Sequence, residues 1–231
     1  MSESRAFRVA IVDYGMGNLY SVQRACDHAG LRAAITGSPD DVLQADAVIL
    51  PGVGAMPDAM RALDGSGLSE ALREQAARGT LLFGVCLGMQ LLMGQGSEFG
   101  VHRGLGLVPG SVRRFEGAYA DGTPLKVPHI GWNAVWPAPD RSWHGTALET
   151  TPEGTYLYFV HSYCVVPEDP DVAIAWSRYG EVTFCSAIAS GNVFGCQFHP
   201  ERSGPQGLRI YRQVARLLAE RLVAGQRGAT S

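Results

Sequence analysis

Residues 80–93 read TLLFGVCLGMQLLM, and this stretch decides the fold. Thr80 to Val85 is an apolar run of strand length, and Gly88 to Met93 starts a helical pattern. Between them lies Gly84-Val85-Cys86-Leu87-Gly88, the nucleophile-elbow pattern G-x-S-x-G with cysteine in the serine position. The glycines are required because the strand must turn sharply and the backbone must pack closely on both sides of a strained residue. Such a turn presents the sulfur at the strand's end beside a helix N-terminus, where N–H groups and the helix dipole favour thiolate. In isolation the pentapeptide reads equally well as a buried cysteine at a glycine-rich strand end.

Working outward, the first half of the chain alternates. Phe7 to Val12 is a strand, and Asn18 caps a helix with Leu19, Val22, Cys26 and Ala29 on one face, stopped by Gly30. Ala47 to Leu50 is a second strand broken by Pro51-Gly52-Val53-Gly54, and Ser69 to Arg78 is a helix ended by Gly79. Strands alternating with helices predict right-handed βαβ units and a parallel sheet. The second half predicts strands at Leu107–Phe115, Tyr156–Val166, Val172–Arg178, Thr183–Ala189 and Val193–Phe198, with a hairpin at Ser190-Gly191-Asn192 of unspecified turn type. Gly207 to Ala224 carries apolar residues at helical spacing, from Leu208 to Leu222, and residues 225–231 form a tail. Residues 116–124 and 137–145 are surface loops. The expected fold is α/β: an open, mostly parallel central sheet with flanking helices and an antiparallel extension, in one domain spanning 1–231.

Composition narrows the class. The 231 residues are 46% apolar and 18% charged, with a net charge of −3, which describes a globular chain rather than a disordered or fibrous one. Nothing is basic enough to point to nucleic acid or an anionic membrane. The polar start Met1–Arg5 lacks the long apolar region of a signal peptide, and no run approaches the ~18 apolar residues of a membrane span. Five cysteines without a C-x-x-C pair predict reduced thiols, no zinc site and a cytoplasmic location.

A second motif closes the last strand: Phe198-His199-Pro200-Glu201. A residue before proline is pushed into extended conformation, where positions i and i+2 project to the same side. Glu201 can therefore bond one imidazole nitrogen of His199 and leave the other for a partner, the base and orienter of a Cys-His-acid triad. Alone, the tetrapeptide reads as a surface turn; joined to the elbow it reads as a site, because open α/β sheets place their sites at the C-terminal ends of strands. The turn at Pro51-Gly52-Val53-Gly54 lets backbone N–H groups approach a ligand and, with Leu87 N–H, could form an oxyanion hole.

These three motifs, in this order, resemble the class I (triad) glutamine amidotransferases, over about residues 8–222. Further stretches sharpen the resemblance: Asp13–Leu19, Lys126–Asn133, Tyr158–Tyr163 and Phe198–Ser203. With Met89 where relatives that serve anthranilate or carbamoyl phosphate synthesis usually carry His, the chain resembles the glutaminase subunits of imidazole glycerol phosphate synthases. The resemblance implies a flavodoxin-like sheet, Cys86 as nucleophile, His199 as general acid and base, and Glu201 as the orienting carboxylate. It implies that Gly52, Val53 and Leu87 contact the oxyanion and substrate backbone, and that Gln90, Glu98, His161, Ser162 and Tyr163 bind the polar groups of L-glutamine. Asn18, His129, Trp132, Asn133 and Arg202 would face a partner, a separate cyclase subunit with a (β/α)₈ barrel that consumes the ammonia in histidine biosynthesis.

No cofactor or metal is expected. Gly15-Met16-Gly17 follows a strand, but Tyr20 stands where a dinucleotide fingerprint needs glycine. His28, His102 and His144 lack metal-ligand spacing, and Cys26, Cys164, Cys185 and Cys196 pack as small hydrophobes. Gly117 to Pro124 fits no motif. A stand-alone cysteine hydrolase, a non-catalytic binding subunit and a glutaminase for another synthase remain alternatives.

Overall fold

The computed structural model describes residues 7–139 and 141–228, with side chains to Arg221. The start Met1–Arg5, the Leu222 side chain and residues 229–231 lie outside the described set. In chain order the elements are β1 (Val9–Val12), α1 (Leu19–His28), β2 (Ala33–Thr36), α2 (Pro39–Leu43), β3 (Ala47–Gly52), α3 (Met56–Gly65) and α4 (Leu68–Ala77). Then come β4 (Leu81–Cys86), α5 (Leu87–Leu91), β5 (Met93–Gly96), β6 (His102–Arg103), β7 (Val108–Arg114) and β8 (His129–Pro137). The chain closes with β9 (Thr155–His161), β10 (Tyr163–Pro167), β11 (Ala173–Tyr179), β12 (Val182–Ser190), β13 (Val193–Cys196) and α6 (Gly204–Gly228).

The large sheet runs β2-β1-β3-β4-β13-β12-β11-β8-β9. Its first five strands pair in parallel and the remainder antiparallel. The order 2-1-3-4 is that of flavodoxin-like sheets. Successive residues of the parallel strands enter two different cores, as the period of two requires. Val9 and Ile11 pack with Val22 and Cys26 of α1 and Tyr211 and Leu218 of α6. Ala10 and Val12 join Met56 and Leu63 of α3, Leu72 of α4 and Val108 and Val112 of β7. With both faces covered, all residues of β1, β3, β4 and β13 are buried. Each wholly buried Leu or Ile here contributes roughly 1.5–3 kcal/mol.

A second sheet, β10-β7-β5-β6, lies against the second core. It accounts for two departures from the expected elements. The helix begun after the elbow ends at Leu91, because Met93–Gly96 pairs with β7 and tertiary pairing outweighs a local helical pattern. The strand expected over Tyr156–Val166 breaks at Ser162: β9 pairs with β8 in the large sheet and β10 with β7 in the small one. Alternation of side chains does not say which strand a segment will pair with, so the break is invisible in sequence. The short β2, α2, α3 and the mixed polar-aromatic β8 also lay below the periodic signal.

Helix α1 ends as expected, with Gly30 at φ 79° after the Ala29 cap. Asn18 stands at the N-cap, but its side chain makes no capping hydrogen bond. In the β12–β13 hairpin the loop is Gly191-Asn192, with positive φ (58°) at glycine and not at asparagine, the pattern of a type II′ turn. Helix α6 runs on to Gly228, past the point where its apolar periodicity stops.

Candidate active site

The site is built by strand register. Gly52 pairs with Cys86 across β3 and β4, and Cys196 pairs with Val85 across β4 and β13. Gln197 is thereby set beside Cys86, with His199 and Glu201 just beyond, all at the C-terminal edge of the parallel strands. Cys86 is the last residue of β4 and has φ 54°, a strained value for a non-glycine residue. The flanking glycines make room for that turn. A β-carbon on Gly84 would come within 2.9 Å of the Gly88 carbonyl, and one on Gly88 would overlap the carbonyl oxygen of Leu50.

His199 is extended (φ −104°, ψ 93°) and Pro200–Arg202 forms a single 3₁₀ turn after it. Its backbone is tied to β9: His199 N–H donates to Tyr158 O (2.8 Å), the Ser203 hydroxyl to His199 O (2.6 Å), and Tyr158 N–H to Ser203 Oγ (2.9 Å). The His199 Nδ1 and Glu201 Oε1 atoms are 2.8 Å apart, and the two side chains are only 4% and 2% exposed. Nδ1–H thus donates to the carboxylate, and among the described residues the buried Nε2 has no hydrogen-bond partner. Burial opposes a charged imidazole, but Cys86 and Glu201 outweigh it and push His199 up to about 10.

Beside this pair opens a cleft of about 440 Å³. Cys86 and Leu87 line it together with Val53, Glu98, Ser162 and Arg202. Leu87 opens α5, where N–H groups have no partner within the helix. Beneath the 52–54 turn lies Tyr14, whose hydroxyl donates to Pro51 O at 2.8 Å. Burial, reinforced by Cys86, raises the Tyr14 phenol well above its usual range, so it stays a neutral donor.

Gln90, Glu98, His161, Ser162 and Tyr163, the sequence-predicted glutamine contacts, all line this cleft. Glu98 lines the cleft and accepts a hydrogen bond from Met56 N–H (2.8 Å). Ser162 and Tyr163 also line it, at the break between β9 and β10. Gln90 and His161 line it while also bonded within the protein: the Gln90 amide nitrogen to Tyr163 O (3.1 Å) and Gln197 Oε1 (3.0 Å), and both ring nitrogens of His161 to neighbours. Of the residues expected to face a partner, Trp132 and Arg202 are exposed, with the guanidinium 4.9 Å above the Tyr158 ring. Asn18 is exposed, and Asn133 half-buried. His129 departs from that expectation: it is 3% exposed, stacked between Tyr179 and Phe159 at 4.3 and 5.3 Å, and burial depresses its pKa to about 4. A side chain enclosed by two rings has no outward surface to offer.

The geometry sets a cysteine on a strained elbow beside a histidine-carboxylate pair. Residues 10–216 match the family model "Glutamine amidotransferase class-I". The imidazole glycerol phosphate synthase subunit HisH of Moorella thermoacetica is 45% identical over 211 residues, covering 91% of this chain and 95% of its own. The chain belongs to the class-I glutamine amidotransferases, in the HisH family. The HisH protein of Geobacillus kaustophilus is also 45% identical, over 87% of this chain and 93% of its own. Among solved structures, a GMP synthase protein from Thermoplasma acidophilum superposes with a TM-score of 0.70 at 16% identity, covering 97% and 100% of the two chains. PurLQS of Thermotoga maritima gives 0.67 at 20% identity, over 92% and 99%. At such identities these two likenesses concern the fold.

This amidotransferase carries two site residues that sequence reasoning passed over. Gln197 donates to Cys86 Sγ (3.6 Å), and Val160 O accepts from the same sulfur (3.7 Å). The first was detectable: Gln197 is two positions before His199 in a stretch the sequence reads as extended, where such positions share a side. Val160 acts through its backbone, which leaves no mark in a sequence. Among the described residues no His, Cys, Asp or Glu cluster could hold a metal ion, and no helix is long and apolar enough to cross a membrane.

Proposed function

We propose that this amidotransferase hydrolyses the side-chain amide of L-glutamine through Cys86, His199 and Glu201, and delivers the ammonia to a separate cyclase subunit. The observation that carries the reading is the His199–Glu201 pair, Nδ1 to Oε1 at 2.8 Å, set by the β4–β13 register beside a cysteine held on a strained elbow. The Cys86 thiolate adds to the amide carbon, and the oxyanion is held by Leu87 N–H and donors of the 52–54 turn, each contributing about 3–4 kcal/mol in comparable sites. His199, a cation when the sulfur is an anion, gives its Nε2 proton to the departing nitrogen as the C–N bond breaks, leaving ammonia and a glutamyl thioester. It then takes a proton from water, whose oxygen attacks the thioester; the C–S bond breaks and glutamate leaves.

Gln90, Glu98, His161, Ser162 and Tyr163, all of which line the cleft, would receive the polar groups of the substrate. Gly52 and Val53, with Leu87, would complete the oxyanion site. The names of the HisH relatives, each a subunit of imidazole glycerol phosphate synthase, support a partner subunit; in this reading the partner is a (β/α)₈ cyclase that uses the ammonia to make imidazole glycerol phosphate in histidine biosynthesis. Exposed Trp132, Arg202 and Asn18, with half-buried Asn133, mark the surface for it. A cytoplasmic location suits five unpaired cysteines.

The test is glutamate release from L-glutamine by this chain alone, then in the presence of both the cyclase and its ribonucleotide ligand. Low turnover that rises steeply with both, and is lost in Cys86→Ala, is expected. Full activity without a partner would indicate a free-standing hydrolase, and no activity in either condition another synthase or a binding role.

A further inference from the structure

Tyr163 O accepts two hydrogen bonds, one from Gln90 Nε2 (3.1 Å) and one from His161 Nδ1 (2.9 Å). A carbonyl can only accept, so both partners must donate there, and this fixes the direction of every bond beyond them. On one side, Gln90 spends its second amide proton on Gln197 Oε1 (3.0 Å), which turns the Gln197 amide nitrogen toward Cys86 Sγ (3.6 Å). The reverse orientation would face two N–H groups against each other. On the other side, His161 with its proton on Nδ1 has an accepting Nε2, which receives His129 Nδ1–H at 3.0 Å. His129 Nε2 in turn accepts from Asn133 Nδ2 (3.4 Å), whose other proton goes to Arg178 O (2.8 Å). Ala134 N–H donates to Asn133 Oδ1 (2.8 Å), which fixes that amide as well.

We propose that Gln197 is a positioning residue for the nucleophile: its amide N–H holds and favours the ionised Cys86 sulfur, in an orientation dictated through Gln90 by the Tyr163 carbonyl. Gln197 is fully buried, so its amide has no competing water. The sulfur stands between opposing neighbours. Val160 O accepts an S–H and so favours the thiol, whereas the Gln197 donor favours the thiolate. The titratable groups acting around the sulfur are His199 after β13, Cys196 within β13 and Tyr14 from the loop after β1. The same chain of bonds runs through His161 and His129, both kept neutral by burial, to half-buried Asn133.

The inference rests on Cys86 being the nucleophile, but its test needs no substrate. The rate of Cys86 alkylation by iodoacetamide is followed against pH in the wild-type chain, Gln197→Glu, Gln197→Met and Gln90→Glu, the other cysteines being masked by comparison with Cys86→Ser. The midpoint is expected to rise by about one pH unit or more in each variant, including Gln90→Glu, which does not touch the sulfur. Midpoints that coincide with wild type in the variants that keep its thermal transition would overturn the proposal. A measurement without substitution decides the case where the variants fail to fold. In wild-type protein, one Gln197 side-chain amide proton should shift in the NMR spectrum with the alkylation midpoint, and an invariant resonance would refute the bond. Glutamine turnover, measured separately, tests the glutaminase reading alone.

Discussion

Gly88 rests directly on the carbonyl of Leu50, so closely that any β-carbon on it would overlap the oxygen. The elbow therefore depends on absent atoms. Gly88→Ala is predicted to lower stability by about 3 kcal/mol or more, because two backbones must separate. Gly30→Ala, at a position with open space and φ 79°, serves as the control. It should cost only about 1–2 kcal/mol, the strain of a left-handed residue. Urea midpoints of the two variants give the comparison, and equal losses would mean that the elbow tolerates expansion.

Gly52 and Tyr14 are coupled in the same way. A β-carbon on Gly52 would overlap the Tyr14 hydroxyl and lie 3.0 Å from Leu87 Cβ. Gly52→Ala should be destabilising, and Tyr14→Phe alone should lose about 1 kcal/mol with its bond to Pro51 O. In the double variant the two losses should sum to less than their separate values by about 0.5 kcal/mol or more. Strict additivity would show that the clash is relieved elsewhere.

Because Cys86 helps raise His199, removing the sulfur's charge should release the imidazole. In wild-type protein His199 should titrate near pH 10, and in Cys86→Ser at least one pH unit lower, read from the ring nitrogen resonances. An unshifted His199 in the variant would assign its elevation to Glu201 alone.

The buried histidines set an acid limit. Burial holds His129 at about 4, and burial, with the neighbouring His129 and His199, holds His161 at about 3, against 6.5 for an unrestrained imidazole. Below pH 6.5 the unfolded chain takes up protons that the folded one refuses. Stability should fall as pH drops from 6.5 toward 4, at up to about 1.4 kcal/mol per pH unit for each histidine. His199 acts in the opposite sense, its contribution being lost as pH rises from 6.5 through about 10. Urea unfolding between pH 4 and 10 should thus show a maximum near 6.5. His129→Phe, which keeps the ring between Tyr179 and Phe159, should flatten the acid limb.

By itself the sequence determined the alternation of β and α, the elbow around Cys86, the pairing of His199 with Glu201 and the family. Each is a local pattern: a period of two or 3.6, glycines beside a strained residue, a proline that forces extension. The rest follows from which segments meet in three dimensions. That β9 and β10 part company at Ser162, that β5 is a strand, and that His129 is enclosed rather than exposed all depend on which distant segment lies alongside. The polarity of the Gln197 amide depends on a backbone carbonyl 34 residues away in the chain, at Tyr163. Hydrogen-bond direction is a property of neighbours in space, and no residue in isolation records it.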